Sequence, residues 1–293
     1  VYKEQGDIKL SIQLYKKAIN ILPTFSNAVY NLGIAFQDIG LYENAIKAYQ
    51  NAIELDPLRQ ETYNNLGNIL QDKGELDNAI NLFRKALSIN SNYAESHYNI
   101  GNVLLEKDNI NDSIKSYKKA LTLKSNYTEA YNNLGNALKE KGELESAISS
   151  YKKAIQLNRG FAEPHWNLSL VQLLNGDYDS GWDSYQWRTK IKDPKVPHCK
   201  PQINEWDGTE LSQNEKLLII SEQGLGDTIQ YMRYIPYLRS KNINISFCTL
   251  NKLHSIIQAS KIDNNPLSPD QAEKVKEGKW ISLLSIPRLL KVT

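Results

Sequence analysis

Small and apolar positions along the first 161 residues recur at an interval of 34. Gly33, Gly67, Gly101 and Gly135 mark it, three of them preceded by Leu32, Leu66 and Leu134. Twelve positions after each glycine comes a small residue (Ala45, Ala79, Ser113, Ala147), four later a ring (Tyr49, Phe83, Tyr117, Tyr151), and three later an alanine (Ala52, Ala86, Ala120, Ala154). This spacing predicts two helical stretches of about a dozen residues per repeat, with small side chains where backbones cross and rings filling the gaps. One such hairpin cannot bury its apolar face alone, so the pattern predicts a stacked array. Full repeats are expected over 26–59, 60–93, 94–127 and 128–161. Residues 1–25 read as a partial repeat, because Val1 falls inside a first helix.

The pattern changes after residue 161. Residues 162–191 keep Leu168 and Tyr185, but Ser169 stands in the glycine position and Gly181 in that of the first alanine. Trp166, Trp182 and Trp187 arrive together, and polar helix positions become Leu170 and Leu174. A terminal repeat either presents a polar face or docks onto something, and these substitutions predict docking. Residues 192–213, with Pro194, Pro197, Pro201 and Gly208, read as a linker anchored by Trp206. From residue 214 the period shifts again. Lys216 to Ser221 predicts a strand, Glu222 to Asp227 a glycine loop, and Ile229, Met232, Ile235 and Leu238 a helix. Ile243 to Cys248 and Leu250 to Ala259 repeat the unit, and a third apolar run begins near Trp280. Strands alternating with helices predict a parallel sheet in a partial α/β, Rossmann-like lobe over 214–293.

Residues 26–161 resemble the tetratricopeptide repeat family: leucine and glycine in the first helix, a glycine turn (Gly40, Gly74, Gly142), then alanine, aromatic and alanine in the second. The expected fold is therefore mainly α, a tetratricopeptide α-solenoid across 1–191 followed by the partial α/β lobe. A second resemblance lies downstream. Gly181-Trp182-x-x-Tyr185-x-Trp187-Arg188, Trp206 before Gly208, the Ser221 to Tyr231 block with its Gln223-Gly224-Leu225-Gly226-Asp227 core, and Leu283 to Leu289 are similar to tetratricopeptide proteins fused to a heptosyltransferase-like glycosyltransferase domain. That likeness implies the first, acceptor-side lobe of a GT-B fold, a nucleotide-sugar donor held by a second lobe, and metal-independent transfer. It implies a base role for Asp227 toward a sugar acceptor. The sequence ends before any second lobe, so the resemblance implies that these 293 residues are silent alone.

The repeats carry their own candidate site. Asn31, Asn65, Asn99, Asn133 and Asn167 share one repeat position. Asparagine is about 0.5 kcal/mol worse than alanine inside a helix, so its recurrence calls for a reason. In three repeats the stripe extends at offsets that keep one helix face: Glu61, Asn65, Asn68, Asp72; Glu95, Asn99, Asn102, Glu106; Glu129, Asn133, Asn136, Glu140. An amide donates and accepts, so a ladder of them is a sequence-tolerant receiver for an extended peptide or protein segment. It resembles the asparagine ladder of protein O-GlcNAc transferase repeats. The competing reading is a solvated face copied by duplication.

Other chemistry is thin. Gly224-x-Gly226 after a strand suits phosphate, but Ile229 fills the third glycine position and Cys248-Thr249 stands where a ribose-binding acid would be. The bland alternative makes Asp227 a helix cap. His97 and His165 share a repeat position with Tyr63 and Tyr131 and read as packing residues, while His198-Cys199 has no companion pair for a metal. With 35 Lys+Arg against 33 Asp+Glu there is no charge surplus to draw nucleic acid. No apolar run approaches the ~20 residues of a membrane span. Cys199 and Cys248, far apart in sequence, suit a reducing, cytoplasmic setting or a chain indifferent to oxidation better than a disulfide framework. The expected function is acceptor recruitment for sugar transfer, with a non-catalytic interaction scaffold as the alternative.

Overall fold

A computed structural model describes residues 8–212, 214–222 and 224–291. The chain divides after Leu157 into two compact units.

The first unit opens with α1 (Ile8–Ile21) and continues as four hairpins: α2 (Ser26–Asp38) with α3 (Tyr42–Leu55), α4 (Gln60–Asp72) with α5 (Leu76–Ile89), α6 (Ala94–Glu106) with α7 (Ile110–Leu123), and α8 (Thr128–Glu140) with α9 (Leu144–Leu157). The recurring small and ring positions of the second helices are at most 2 % exposed. The glycine of each first helix exists for the ring of its partner. A Cβ on Gly33, Gly67, Gly101 or Gly135 would stand 2.5–2.6 Å from the ring of Tyr49, Phe83, Tyr117 or Tyr151, closer than carbon atoms approach. Glycine and aromatic therefore recur as a pair, because each fits only with the other. The hairpin turns need a left-handed residue, supplied by Gly40, Gly74 and Gly142; in the third hairpin Asp108 takes that conformation at φ 60°.

The second unit starts with a hairpin of the same design, α10 (Ala162–Leu174) and α11 (Tyr178–Tyr185), followed by a 3₁₀ turn over Gln186–Thr189. Here the close approach has moved: a Cβ on Gly181 would meet Leu173 at 2.7 Å, while Ser169 is buried and its hydroxyl donates to the Trp166 carbonyl at 2.7 Å. A parallel sheet follows, made of β1 (Asn204–Glu205), β2 (Lys216–Ile220), β3 (Asn244–Cys248) and β4 (Lys279–Ser282) in the order β1-β4-β2-β3. Leu217 and Ile219 face a core with Trp206, Ile235, Phe247 and Ile281. Leu218 and Ile220 face the other, with Cys199, Cys248, Ala272 and Trp280. Burial on both faces is why β2 reads as an unbroken apolar run.

The helix expected through Ile229 to Leu238 is two: α12 (Leu225–Tyr231) and α13 (Tyr234–Ser240). Pro236 explains the break. Within a continuous helix it would lack a donor and crowd the Met232 carbonyl, whereas in the first turn of a new helix its missing N–H costs nothing. The unit is completed by α14 (His254–Ala259), α15 (Pro269–Ala272) and α16 (Ile286–Leu289).

Candidate functional site

The asparagine ladder has a structural cause. Asn65 Nδ2 donates to Tyr30 Oη at 3.2 Å, Asn99 Nδ2 to Asn64 Oδ1 at 2.9 Å, and Asn133 Nδ2 to Tyr98 Oη at 3.0 Å. Each amide reaches back 35 residues to the side chain preceding the asparagine of the previous repeat. The ladder is thus a row of clamps between successive first helices, which answers why a mediocre helix former recurs there. It also narrows what each amide can offer a peptide: one N–H of Asn65 and of Asn99, and both of Asn133, are used inside the array. Asn99 is itself buried, and Asn133 Oδ1 accepts from Asn132 Nδ2 at 3.1 Å.

What remains open lies one turn further along. Asn102 Oδ1 accepts from Tyr117 Oη at 2.8 Å and from Asn133 Nδ2 at 2.9 Å, and Asn136 Oδ1 accepts from Tyr151 Oη at 2.8 Å. In the last two full repeats the buried ring that the glycine admits therefore ends in a hydroxyl that orients an amide of the stripe. Gln71, Asn102, Asn133 and Asn136, with Leu105, Tyr117, Glu106 and Glu140, line an open recess of about 460 Å³ spanning α4, α6 and α8. Burial, then the Glu140 carboxylate, push the Tyr151 phenol above its ordinary pKa, and burial does the same for Tyr117. Both hydroxyls stay protonated donors at any physiological pH. Asn31, Asn68 and Asn167 are half-buried on the same helices of their own repeats.

In the second unit, β2 leads to β3 on one side and the chain then crosses to β4 on the other. In open parallel sheets such a reversal leaves a crevice outside the strands' carboxyl ends. Beyond β2 and β4 that place holds Arg188. Its Nε and Nη2 reach Glu222 at 2.9 and 2.5 Å, and Nη2 also reaches Ser282 and Ser285 at 3.2 and 2.9 Å. Both side chains of the pair are at most 1 % exposed. Burial raises the Glu222 carboxyl above its ordinary pKa against the opposing pull of Arg188.

Gln223 lies outside the described residues. Gly224 takes φ 102° and caps α12, where a side chain would collide with Asp227 Oδ2 at 2.6 Å. Gly226 faces open space. Asp227 is exposed and is the third residue of α12, not its cap. It is an acceptor within electrostatic reach of Glu222 and Tyr231. Among the described residues no group of three His, Cys, Asp or Glu side chains could hold a metal ion, and no helix is long and apolar enough to cross a membrane.

The tryptophans part ways. Trp182 is buried and meets Tyr231 of α12 edge-on at 6.3 Å. Trp206 sits in the sheet core, its indole donating to the Thr209 carbonyl at 2.7 Å. Trp166 packs on Tyr185 at 4.9 Å, and Trp187 stacks flat on His165 at 3.9 Å, both within the hairpin region. The polar contact from this region to the sheet, Arg188 with Glu222, had no sequence signal beyond its place after Trp187. Arg288, donating to Asp183 at 2.9 Å, is a second such contact.

The fold has known counterparts. The APC/C hetero-tetramer Cut9-Hcn1 aligns with a TM-score of 0.60 at 19 % identity, over 67 % of this chain and 39 % of that one. PilF of Pseudomonas aeruginosa aligns at 0.59 and 19 % identity, over 65 % and 87 %. MamA aligns at 0.49 and 29 % identity, over 54 % and 92 %. The first two likenesses bear on fold alone. No curated protein sequence matches the chain. A family model described as TPR repeat matches residues 1–40, 38–74, 67–108, 101–142 and 135–176. Those matches span more than half of the sequence, and with the hairpin geometry beneath them the chain belongs to the TPR repeat family.

Proposed function

We propose that the repeat array is a protein-interaction scaffold that receives an extended polypeptide segment along the recess on α4, α6 and α8. The observation that carries this is the row of oriented amides, Asn102, Asn133 and Asn136, running across consecutive repeats. The oxygens of Asn102 and Asn136 are held by tyrosine hydroxyls and that of Asn133 by Asn132, so a segment entering the recess meets a pre-organised surface and little side-chain freedom is lost on binding. Peptide N–H and C=O groups match amides whatever the sequence. The test is fluorescence anisotropy of labelled peptides from a tiled array against the full chain. Asn102→Ala with Asn136→Ala should weaken a captured peptide by roughly tenfold, for about 1.4 kcal/mol lost, while Lys85→Ala on the opposite helix row should not. Equal affinity in all three proteins sinks the proposal.

A second reading concerns the sheet. It takes residues 214–293 as the acceptor-side lobe of a heptosyltransferase-like GT-B glycosyltransferase, with a nucleotide sugar supplied on a second lobe. What favours it is an exposed carboxylate, Asp227, in the first turn of α12, the helix that follows β2 beside the strand reversal. In a protein carrying the second lobe, Asp227→Asn should then cost ~10²–10⁴ in transfer rate. Turnover within twofold of wild type leaves the scaffold reading alone.

A further inference from the structure

The chain's two cysteines, remote in sequence, meet inside the second unit. Cys199 and Cys248 are both free and buried, with their sulfurs 3.8 Å apart. Leu218, Ile220, Ala272 and Trp280 surround them. We propose that Cys199 and Cys248 form a reversible disulfide that clamps the segment entering the sheet onto the carboxyl end of β3.

The geometry supports it from both sides. A disulfide needs sulfurs at about 2.05 Å, so the pair must close by roughly 1.8 Å, within the reach of side-chain rotation and small backbone adjustment. Cys248 is the last residue of β3 and its carbonyl accepts from Ser221 N at 2.9 Å, so this side is fixed by the ladder. Cys199 stands on the incoming segment, where His198 N donates to the Ser221 carbonyl at 3.0 Å and Pro197 bridges to Glu222. Glu222 is the residue gripped by Arg188. The cross-link would therefore lock the stretch that joins the last hairpin to the sheet, beside their buried ion pair.

The two sulfurs divide the work. Cys199 is 5 % exposed and Cys248 fully enclosed, so an oxidant reaches Cys199 first. The Cys248 thiol, hydrogen-bonded to that sulfur, lowers the Cys199 pKa and favours its thiolate. The co-reactant is a hydroperoxide, small enough to enter. The Cys199 thiolate attacks its O–O bond; an S–O bond forms, the O–O bond breaks, and hydroxide or alkoxide leaves, taking a proton from water. The Cys248 sulfur then attacks the sulfenic sulfur; the S–S bond forms, the S–O bond breaks, and the departing hydroxide takes the Cys248 proton as water. Two thiols lose two electrons and the peroxide gains them. A resolving thiol already in contact captures the sulfenic acid before it oxidises further.

The experiment is peroxide titration of the full chain, followed by denaturing alkylation and non-reducing peptide mapping. The expected result is a mass loss of about 2 Da, a peptide linking residues 199 and 248, and full reversal by dithiothreitol. Oxidation should raise the melting temperature of the second unit by roughly 5–10 °C. It should also slow tryptic cleavage after Lys190, Lys192 and Lys195 by about tenfold or more, as local opening is suppressed. Cys248→Ser should instead accumulate sulfinic acid at Cys199 and show no reversible shift. Should that variant fail to fold, the wild-type map decides alone. Oxidation to two sulfinic acids, a cross-link between chains, or full alkylation of both thiols after peroxide overturns the proposal.

Discussion

The repeat array and the sheet unit bury their surfaces by opposite strategies. In the array the main contacts recur at intervals of 34 residues: glycine against ring in all four hairpins, ladder asparagine against the previous first helix in three, and ring hydroxyl against stripe amide in two. In the sheet unit the decisive contacts are made once, between residues such as Arg188 and Glu222 or Trp182 and Tyr231. Repetition spreads stability over equivalent interfaces, so damage to one should be local and graded. Single contacts concentrate it, so damage should be abrupt. All five tryptophans lie after residue 157, so indole fluorescence follows the second unit alone, while far-ultraviolet dichroism is weighted toward the helices of the first.

The sharpest way to break this contrast is Arg188→Met. Glu222 would be left buried without its guanidinium, a loss of about 3–5 kcal/mol for one partner of an enclosed pair. The fluorescence transition should fall to much lower denaturant while the dichroism of the array stays put. Adding Glu222→Leu should restore most of the loss, because an apolar pair of similar size is no worse than a buried ion pair. A fluorescence midpoint unchanged by Arg188→Met refutes the idea that this pair holds the hairpin to the sheet.

The same contrast governs what could be seen in the sequence. The hairpins, their turn glycines and the buried small and ring positions were legible because four copies vote on each position, and a pattern that recurs has a packing cause. The sheet was legible as strand and helix through Leu217 to Ile220 and Ile243 to Cys248, which carry local periodicity. Arg188 was not, since nothing near residue 188 tells that its partner is at 222. The meeting of Cys199 with Cys248 was hidden for the same reason: it depends on how β3 and the incoming segment are brought together. The ladder was half legible. Recurrence flagged the asparagines as purposeful, but their partners Tyr30, Asn64 and Tyr98 differ from repeat to repeat, which obscured the clamp.

Within the array, Gly101→Ala should cost about 2 kcal/mol. The new methyl would overlap the Tyr117 ring, which is fully buried and cannot retreat, and overpacking outweighs the alanine's helix preference. The loss should appear in dichroism and leave the tryptophan signal where it was. Tyr117→Leu in the same chain should recover part of it. Movement of both signals together would show that the two units unfold as one, and the contrast would fail.

Replacing Asn65, Asn99 and Asn133 together by alanine is a finer test. Four inter-repeat bonds go, at about 1 kcal/mol each, and alanine returns about 0.5 kcal/mol per site, for a net loss of roughly 2.5 kcal/mol spread over the three sites. A solvated ladder without structural duty would instead give a more stable array. Urea unfolding followed at 222 nm separates the two outcomes by sign alone.

The smallest effect separates the units by pH. Burial lowers the pKa of His97 in the array and of His165 and His198 in the sheet unit, against the opposing pull of backbone hydrogen bonds at Ser91, Arg159 and Glu222 respectively. A histidine whose folded pKa lies below its unfolded value of about 6.5 contributes stability that is complete above that value. As pH falls through 6.5 toward the folded pKa, the unfolded chain takes up the proton first and the contribution is lost. Two such histidines against one predict that the fluorescence midpoint drops further than the dichroism midpoint between pH 7.5 and 5.5. The rings are half-buried, so the difference should be only roughly 1–2 °C in melting temperature. Glu222 works with the opposite sign, because a carboxyl raised above its ordinary pKa gains a proton first in the folded state. His165→Gln with His198→Gln removes the histidine part and leaves that of Glu222, so the fluorescence midpoint should then stay level or rise slightly on acidification. If the double variant loses stability as steeply as the wild type, the acid sensitivity of the second unit lies elsewhere than in these two rings.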